Sequence, residues 1–363
     1  MFSCKPDFDA VLARYEAWWH GAVLDRPLVS ITYPRPPGAA APRRASRQYG
    51  SLRERWLDTE RVVADAEAQM AATCFFADAL PVAWPNLGPE VFSAFYGCPL
   101  EFGETTSWSV PVLASWQDDE VARLRLDWSN PYLRKLVEMT DALLEAARGR
   151  FIVGYTDMHP GGDAIAAFRD PQQLCVDLLE ARPAVSALLE RVTTDFLAVY
   201  DFFHERLSAA GMPSTTWLPA TGRGRYHVPS NDFSCMISER LFVEVFLPGI
   251  VRECQHMDRC IYHLDGPQAL RFLDLLLEIP SIQAIQWVPG AGRDRWSDWL
   301  DVYRRIQARG KAFCLPLPAA ELDQVCQALR PEGVWLQLGG VRDEDAARNV
   351  LRRLERWIRT DSR

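Results

Sequence analysis

No apolar run in this chain of 363 residues approaches the length that crosses a bilayer. Stretches such as Phe151 to Tyr155 and Cys260 to Tyr262 fall far short of the roughly 20 residues a membrane helix needs. Met1 to Lys5 also lacks the apolar segment of a signal peptide, so the expected location is the cytoplasm. A basic stripe is missing too. With a net charge of -8, the chain has no electrostatic footprint for a nucleic acid, whose binding depends on displacing counterions with Lys and Arg. There is no CxxC pair among the nine cysteines Cys4, Cys74, Cys98, Cys175, Cys235, Cys254, Cys260, Cys314 and Cys326. Their odd number and scatter within apolar runs suit a reducing compartment better than a disulfide framework. Also absent are a GxGxxG after a strand, a P-loop, a GxSxG and an HExxH, which leaves nucleotide binding and serine hydrolysis without support.

What is present is ordinary globular material, 48% apolar and 24% charged, enough to bury a large core. Apolar residues at helical spacing mark Pro6 to Gly21, and Leu28 to Tyr33 reads as a short strand. Pro34, Pro36 and Pro37, with the Ala- and Arg-rich segment up to Arg47, mark a loop. A long amphipathic helix is expected from Leu52 to Thr73, a strand near Leu80 to Trp84, short strands and turns over Gly97 to Trp128, and a helix from Pro131 to Arg148.

From Phe151 the pattern becomes regular. Strand-length runs at Phe151 to Asp157, Thr215 to Pro219, Cys260 to Asp265, Ala284 to Val288, Ala312 to Leu317 and Val334 to Leu338 alternate with helix-length segments. Those helices are expected at Pro171 to Ala210, Ser238 to Met257, Gln268 to Glu278, Trp299 to Arg309, Ala320 to Leu329 and Asp343 to Ile358. Such alternation builds a parallel α/β sheet. With the two earlier strands the count reaches eight, which favours a (β/α)₈ TIM-type barrel with an elaborated N-terminal region. The chain therefore reads as one domain over 1–363, with 1–150 as elaboration and first strands and 151–358 as regular β/α units. A separately folded 1–150 is the alternative, but no Gly-Ser linker divides the halves.

Ligands of parallel α/β proteins sit at the carboxyl ends of strands, and those ends are rich in functional side chains here. Thr156, Asp157 and His159 finish one run, and Ser230, Asn231 and Asp232 lie before a helix capped by Ser238. His263 and Asp265 are two apart in Cys-Ile-Tyr-His-Leu-Asp, so strand alternation turns both to one face. A histidine with a carboxylate there suits acid/base work, whereas Asp157 or Asp265 alone equally suits a helix cap. The candidate catalytic residues are His263, Asp265, Asp157 and Asp232. The candidate substrate contacts are His159, Trp84, Asn86, Trp108, Trp217, Tyr226, Gln286, Trp287 and Gln337. His263 and Asp265 are also the candidate metal ligands, although no second His or Cys accompanies them at metal-like spacing. Thirteen tryptophans is a high number; many belong to the core, and a few beside carboxylates would form a platform for a flat or sugar-like ligand or an aromatic wall for a cation.

Ser-Asn-Asp-Phe-Ser-Cys-Met-Ile-Ser (230–238), Tyr-His-Leu-Asp-Gly-Pro (262–267) and Ile-Gln-Trp-Val-Pro-Gly (285–290) resemble the uroporphyrinogen decarboxylase superfamily, in its uncharacterised decarboxylase-like branch. The likeness extends to Asp25-Arg26-Pro27, Pro85-Asn86-Leu87-Gly88-Pro89, Thr106-Ser107-Trp108 and Asp157-Met158-His159, and so covers nearly the whole chain. It implies a barrel with its ligand at the carboxyl face. The Met-Arg-Gln-Ala-Gly-Arg motif of the decarboxylases is absent, which argues against porphyrinogen decarboxylation. The corrinoid-linked methyltransferases of that superfamily bind zinc through His-x-Cys and a distant Cys. Here His263 matches the His, Asp265 replaces the Cys, and Leu338 to Val341 holds no third ligand. Three readings stay open. The first is a methyltransferase-type transferase for a small polar substrate, with a divalent metal such as zinc or a corrinoid partner protein. The second is a lyase or hydrolase of a carbohydrate-like or acidic small molecule using Asp157, Asp232 and Asp265, and the third is a non-catalytic ligand-binding protein.

Overall fold

A computed structural model describes residues 2–36 and 47–361. The loop expected between Pro34 and Arg47 lies largely outside them, at 37–46. Among the described residues there are eleven strands: β1 (Leu28–Pro34), β2 (Thr73–Ala77), β3 (Val82–Ala83), β4 (Leu100–Phe102), β5 (Ser107–Ser109), β6 (Ile152–Val153), β7 (Tyr226–His227), β8 (Arg259–Asp265), β9 (Ala284–Val288), β10 (Ala312–Pro318) and β11 (Val334–Gly339). Seven form one sheet in the order β2-β1-β11-β10-β9-β8-β7. All its pairings are parallel except β1 with β2. β3 pairs in parallel with β6, and β4 with β5 forms an antiparallel hairpin. The protein is thus an α/β fold on a mainly parallel sheet. No helix among the described residues is long and apolar enough to cross a membrane.

Strand alternation divides the buried residues into two cores. One face of the sheet, with Val29, Ile31, Tyr262, Leu264, Ile285, Trp287, Phe313, Leu315, Val334 and Leu336, packs in the larger core with the surrounding helices. The opposite face contributes Leu28, Ile261, Ala284, Cys314 and Trp335 to a second core, joined by Ile152 of β6. Helix Phe8–Trp19 covers this second core with Val11, Tyr15, Trp18 and Trp19, spaced as one helical stripe. Two residues further along their strands, on the same face, stand Ser30, His263, Gln286 and Gln337. The apolar layer is therefore the floor beneath the polar one. Near the floor, Asp78 is fully buried and is held by a two-nitrogen contact from Arg26 and by the Val29 N–H.

The strands at 260–265, 284–288, 312–317 and 334–338 form where alternation places them, but the first half of the regular region differs. The strand expected from Phe151 to Asp157 is only Ile152–Val153, and Thr215 to Pro219 is not a strand. At Gly154 an added Cβ would stand 2.9 Å from Thr215 O, so glycine is what lets the two backbones approach here. Tyr155 N–H donates to Thr215 O (3.0 Å) and Thr216 Oγ1 donates to Tyr155 O (3.0 Å), which replaces the ladder. Tyr226–His227 supplies the unforeseen strand beside β8. The helix expected over Leu52 to Thr73 is two, because Asp58 caps a new start by accepting Arg61 N–H; Thr73 opens β2. Pro171 to Ala210 is likewise broken at Ala181. Between Ser238 and Met257 the backbone widens to a π-turn at Phe242–Phe246, just before Pro248, which has no N–H to continue an α-helical ladder.

Candidate active site

The site is assembled by a loop that follows β8 beyond the end of β7. His263 N–H donates to Pro229 O (2.9 Å), and Ser230 bridges His263 in parallel register. The chain then turns into a short 3₁₀ segment, Asp232–Met236. Asp163, near the start of helix Gly161–Arg169, fixes that turn. Its carboxylate accepts the N–H groups of Asp232 (3.1 Å) and Phe233 (2.8 Å) and the Ser230 hydroxyl (3.1 Å). Gly162 permits the approach, since a Cβ there would stand 2.6 Å from Asn231 Oδ1.

Asp232 consequently sits between two histidines. Its Oδ2 lies 3.9 Å from His159 Nδ1 and its Oδ1 lies 4.0 Å from His263 Nε2. His159 also faces Asp157 (Nε2 to Oδ1, 3.6 Å) and Asp163 (Nδ1 to Oδ2, 3.7 Å). His263 Nδ1 is 2.8 Å from Gln286 Oε1. This contact fixes the ring so that Nε2 points towards Asp232. Asp232 Oδ1 is buried and has no hydrogen-bond partner among the described residues. Two groups of three ligand-type side chains share this carboxylate: His159, Asp163 and Asp232, and Asp232, His263 and Asp265.

Burial pushes the Asp232 carboxyl up to about 6, with Asp163 adding to the rise and His263 and His159 opposing it. Burial alone would lower the affinity of His159 for a proton, but Asp157 and Asp163 outweigh it and raise it well above the ordinary histidine value. The same histidine, with the Phe233 and Asp232 N–H groups, keeps Asp163 below the usual carboxylate range although burial acts the other way. The arrangement thus holds an imidazolium, His159, among carboxylates on one side and the His263 ring opposite the Asp232 carboxyl on the other.

The structure brings Asp157, His159, Asp232, His263, Asp265 and Gln286 together. Trp217 adjoins them, its ring 5.7 Å from that of His263 and edge-on. Trp217 also lines a cavity of about 880 Å³ shared with Trp84, Asn86, Ser30 and Thr32. Gln337 lies on the interior-facing side of β11, opposite Ser30 in register. Three candidates fall elsewhere. Trp287 follows Gln286, so alternation turns it into the helix layer, buried against Trp299 at 5.1 Å. Tyr226 is buried in the floor core, donating its hydroxyl to Leu218 O (3.0 Å) beside Trp19. Trp108 is exposed on the β4-β5 hairpin and donates to Glu101 (2.9 Å). Sequence reasoning did not single out Asp163 as a site residue. Its signal was the His-x-x-x-Asp spacing from His159, which spans the start of a helix that periodicity had not marked.

No protein-family model matches the sequence, and no curated protein does. The class is therefore defined by structure, as an α/β protein on a mainly parallel sheet. A methyltransferase from Methanosarcina mazei has a similar structure, with a TM-score of 0.58 at 9% sequence identity, covering 95% of this chain and 98% of that one. At that identity the likeness is one of fold.

Proposed function

We propose that the chain is a small-molecule enzyme of the transferase type, related to methyltransferases, on a closed (β/α)₈ barrel whose active site is centred on Asp232, His263 and Asp265. The floor core, in which Ile152 meets interior residues of β1 and β8 to β11, supports closure. The full-length likeness to a methyltransferase supports the reaction class by analogy of fold.

The observation that carries the site is His263 Nε2 facing the buried, unpartnered Asp232 Oδ1 across 4.0 Å, with Asp265 in the same group of ligand-type side chains. Ligand-type atoms so placed can hold a cation between them. A thiolate zinc site does not fit, because Asp265 takes the place of a Cys two residues after His263 and positions 338–341 hold no Cys. Asp232, His263 and Asp265 form an oxygen-rich set that suits a harder divalent cation. When bound, such an ion supplies charge that lowers the pKa of a coordinated hydroxyl or thiol. Gln286 orients His263 for this role. His159, between Asp157 and Asp232, is placed to deliver a proton to a group leaving the substrate. A methylated corrinoid protein is the partner this reading calls for.

Metal analysis of the purified protein tests it. About one divalent ion per chain is expected, lost in His263→Ala and Asp265→Asn together with turnover. A protein that binds neither manganese nor zinc would end this reading. The grouping of Asp157 and Asp232 on either side of His159 favours the lyase or hydrolase alternative, which predicts turnover that survives chelation.

A further inference from the structure

The 880 Å³ chamber at Trp217 is large enough for a ligand well beyond a one-carbon fragment, and its walls have a distinct chemistry. Trp56, Trp84 and Trp217 supply aromatic faces. Uncommitted neutral polar groups lie among them. Asn86 spends its Oδ1 on the Gly88 N–H (2.7 Å), which leaves its amide N–H groups. Among the described residues, the indole N–H of Trp84 and of Trp217 and the amide of Gln69 have no hydrogen-bond partner.

The charged side chains in the wall face one another in pairs. Arg55 pairs with Glu104 at 2.7 Å and also donates to the Glu104 carbonyl (2.6 Å). Arg61 faces Asp65 at 3.4 Å and donates to Arg55 O (3.1 Å). Apart from the buried Nε of Arg55, which has no hydrogen-bond partner among the described residues, a charged substrate would compete with these pairs for its counter-charge. A purely apolar ligand would leave the amide and indole donors desolvated without partners, at about 1–3 kcal/mol each.

We propose that the chamber binds a neutral, hydroxyl-rich ring compound, a carbohydrate of one or two rings. Its apolar ring faces stack on the tryptophans while Gln69 and Asn86 bind its hydroxyls. Trp217 is wall to the chamber and edge-on neighbour to His263, so the ligand's inner end is presented there to the Asp232–His263 pair. This last clause rests on the active site proposed above; the binding itself does not.

Calorimetry and tryptophan fluorescence test the proposal on the purified full chain. The probes are methyl glucoside, methyl galactoside, methyl mannoside, maltose and cellobiose, against glucuronate and galacturonate as charged counterparts and 1,2-dimethoxybenzene as a neutral arene. At least one neutral glycoside should bind, with an affinity that changes less than about twofold between roughly 0.05 and 0.5 M salt. Trp84→Leu and Gln69→Ala should each weaken it about tenfold or more, while Trp128→Leu, exposed and away from the chamber, should not. Gln69 lies at the surface of its helix, so its variant is expected to fold. Preference for a uronate with strong salt dependence, binding of the arene alone, or no binding by any probe would overturn the proposal. Glycoside binding by a protein that takes up no metal would sink the proposed cation site and leave this inference standing. Metal uptake without glycoside binding would do the reverse.

Discussion

His263 Nδ1 and Gln286 Oε1 are 2.8 Å apart on adjacent parallel strands, at positions directly in register. This contact orients the imidazole and turns Nε2 towards Asp232. Replacing Gln286 by Leu removes the hydrogen-bond partner while keeping an apolar side chain of similar length. The ring is then free to rotate. Divalent-cation affinity should fall about 10- to 100-fold with little change in thermal stability. Manganese or zinc titration of the two proteins measures the difference, and equal affinities would show that Gln286 does not orient the ligand.

Asp163 joins the helix after His159 to the loop that carries Asp232. Asp163→Ala leaves the Asp232 and Phe233 N–H groups without their acceptor, and a buried donor left unsatisfied costs about 1–3 kcal/mol. The loss should be local as well as global. Hydrogen exchange at Asp232 and Phe233 is expected to accelerate more than exchange in β8 to β11, and Asp163→Asn, which keeps an acceptor, should restore part of the protection. Uniform acceleration across the sheet would mean that Asp163 acts only on overall stability.

How much of this was legible in the sequence follows from the length scale of each signal. The strands β8 to β11 are buried on both faces, so each is a run of apolar residues whose ends can be counted. The same alternation makes His263 and Asp265 share a face. The chain from Tyr155 to Pro219 was not legible in that way. Its order comes from Gly154 approaching Thr215 and from Asp163 gathering three donors of a distant loop, and neither contact leaves a periodicity. Tyr226 and Trp287 were natural candidates by residue type. Only the register of β7 and β9 reveals that one lies in the floor and the other in the helix layer.

Gly88 holds the loop that presents Asn86 to the chamber. Its φ of +95° lies in a region that side chains other than glycine rarely adopt, and an added Cβ would stand 1.9 Å from Ser107 Oγ. Ser107 is itself buried and donates to Leu87 O (2.5 Å), so it cannot simply swing away. Gly88→Ala should therefore destabilise the protein by about 2–4 kcal/mol, from strain and clash together. The midpoint of urea unfolding reads the effect. A double variant with Ser107→Gly should recover the part due to the clash and none of the part due to φ; full recovery would show that the backbone is not strained there.

Asp177 gives a prediction in pH. It is almost fully buried and pairs with Arg169 (Nε to Oδ2, 2.7 Å), whose guanidinium also donates to Leu113 O (3.1 Å) and Ala114 O (2.7 Å). The pair thereby ties the end of helix Gly161–Arg169 to helix Pro171–Glu180 and to the segment before Trp116. Burial by itself would raise the Asp177 pKa, but the Arg169 and Gln173 donors outweigh it and hold the carboxyl below its ordinary value. A carboxyl whose folded-state pKa is depressed binds its proton more readily when unfolded. Its contribution to stability is thus complete above the ordinary aspartate range near 4 and fades as pH falls through the lower folded value. At neutral pH Asp177→Ala leaves Arg169 without its carboxylate and should cost about 2–4 kcal/mol. The gap between wild type and variant in urea unfolding should stay constant from pH 7 to about 5 and narrow below about 4. A gap that remained unchanged down to about pH 3 would mean that packing, and not the charge on Asp177, holds these two helices together.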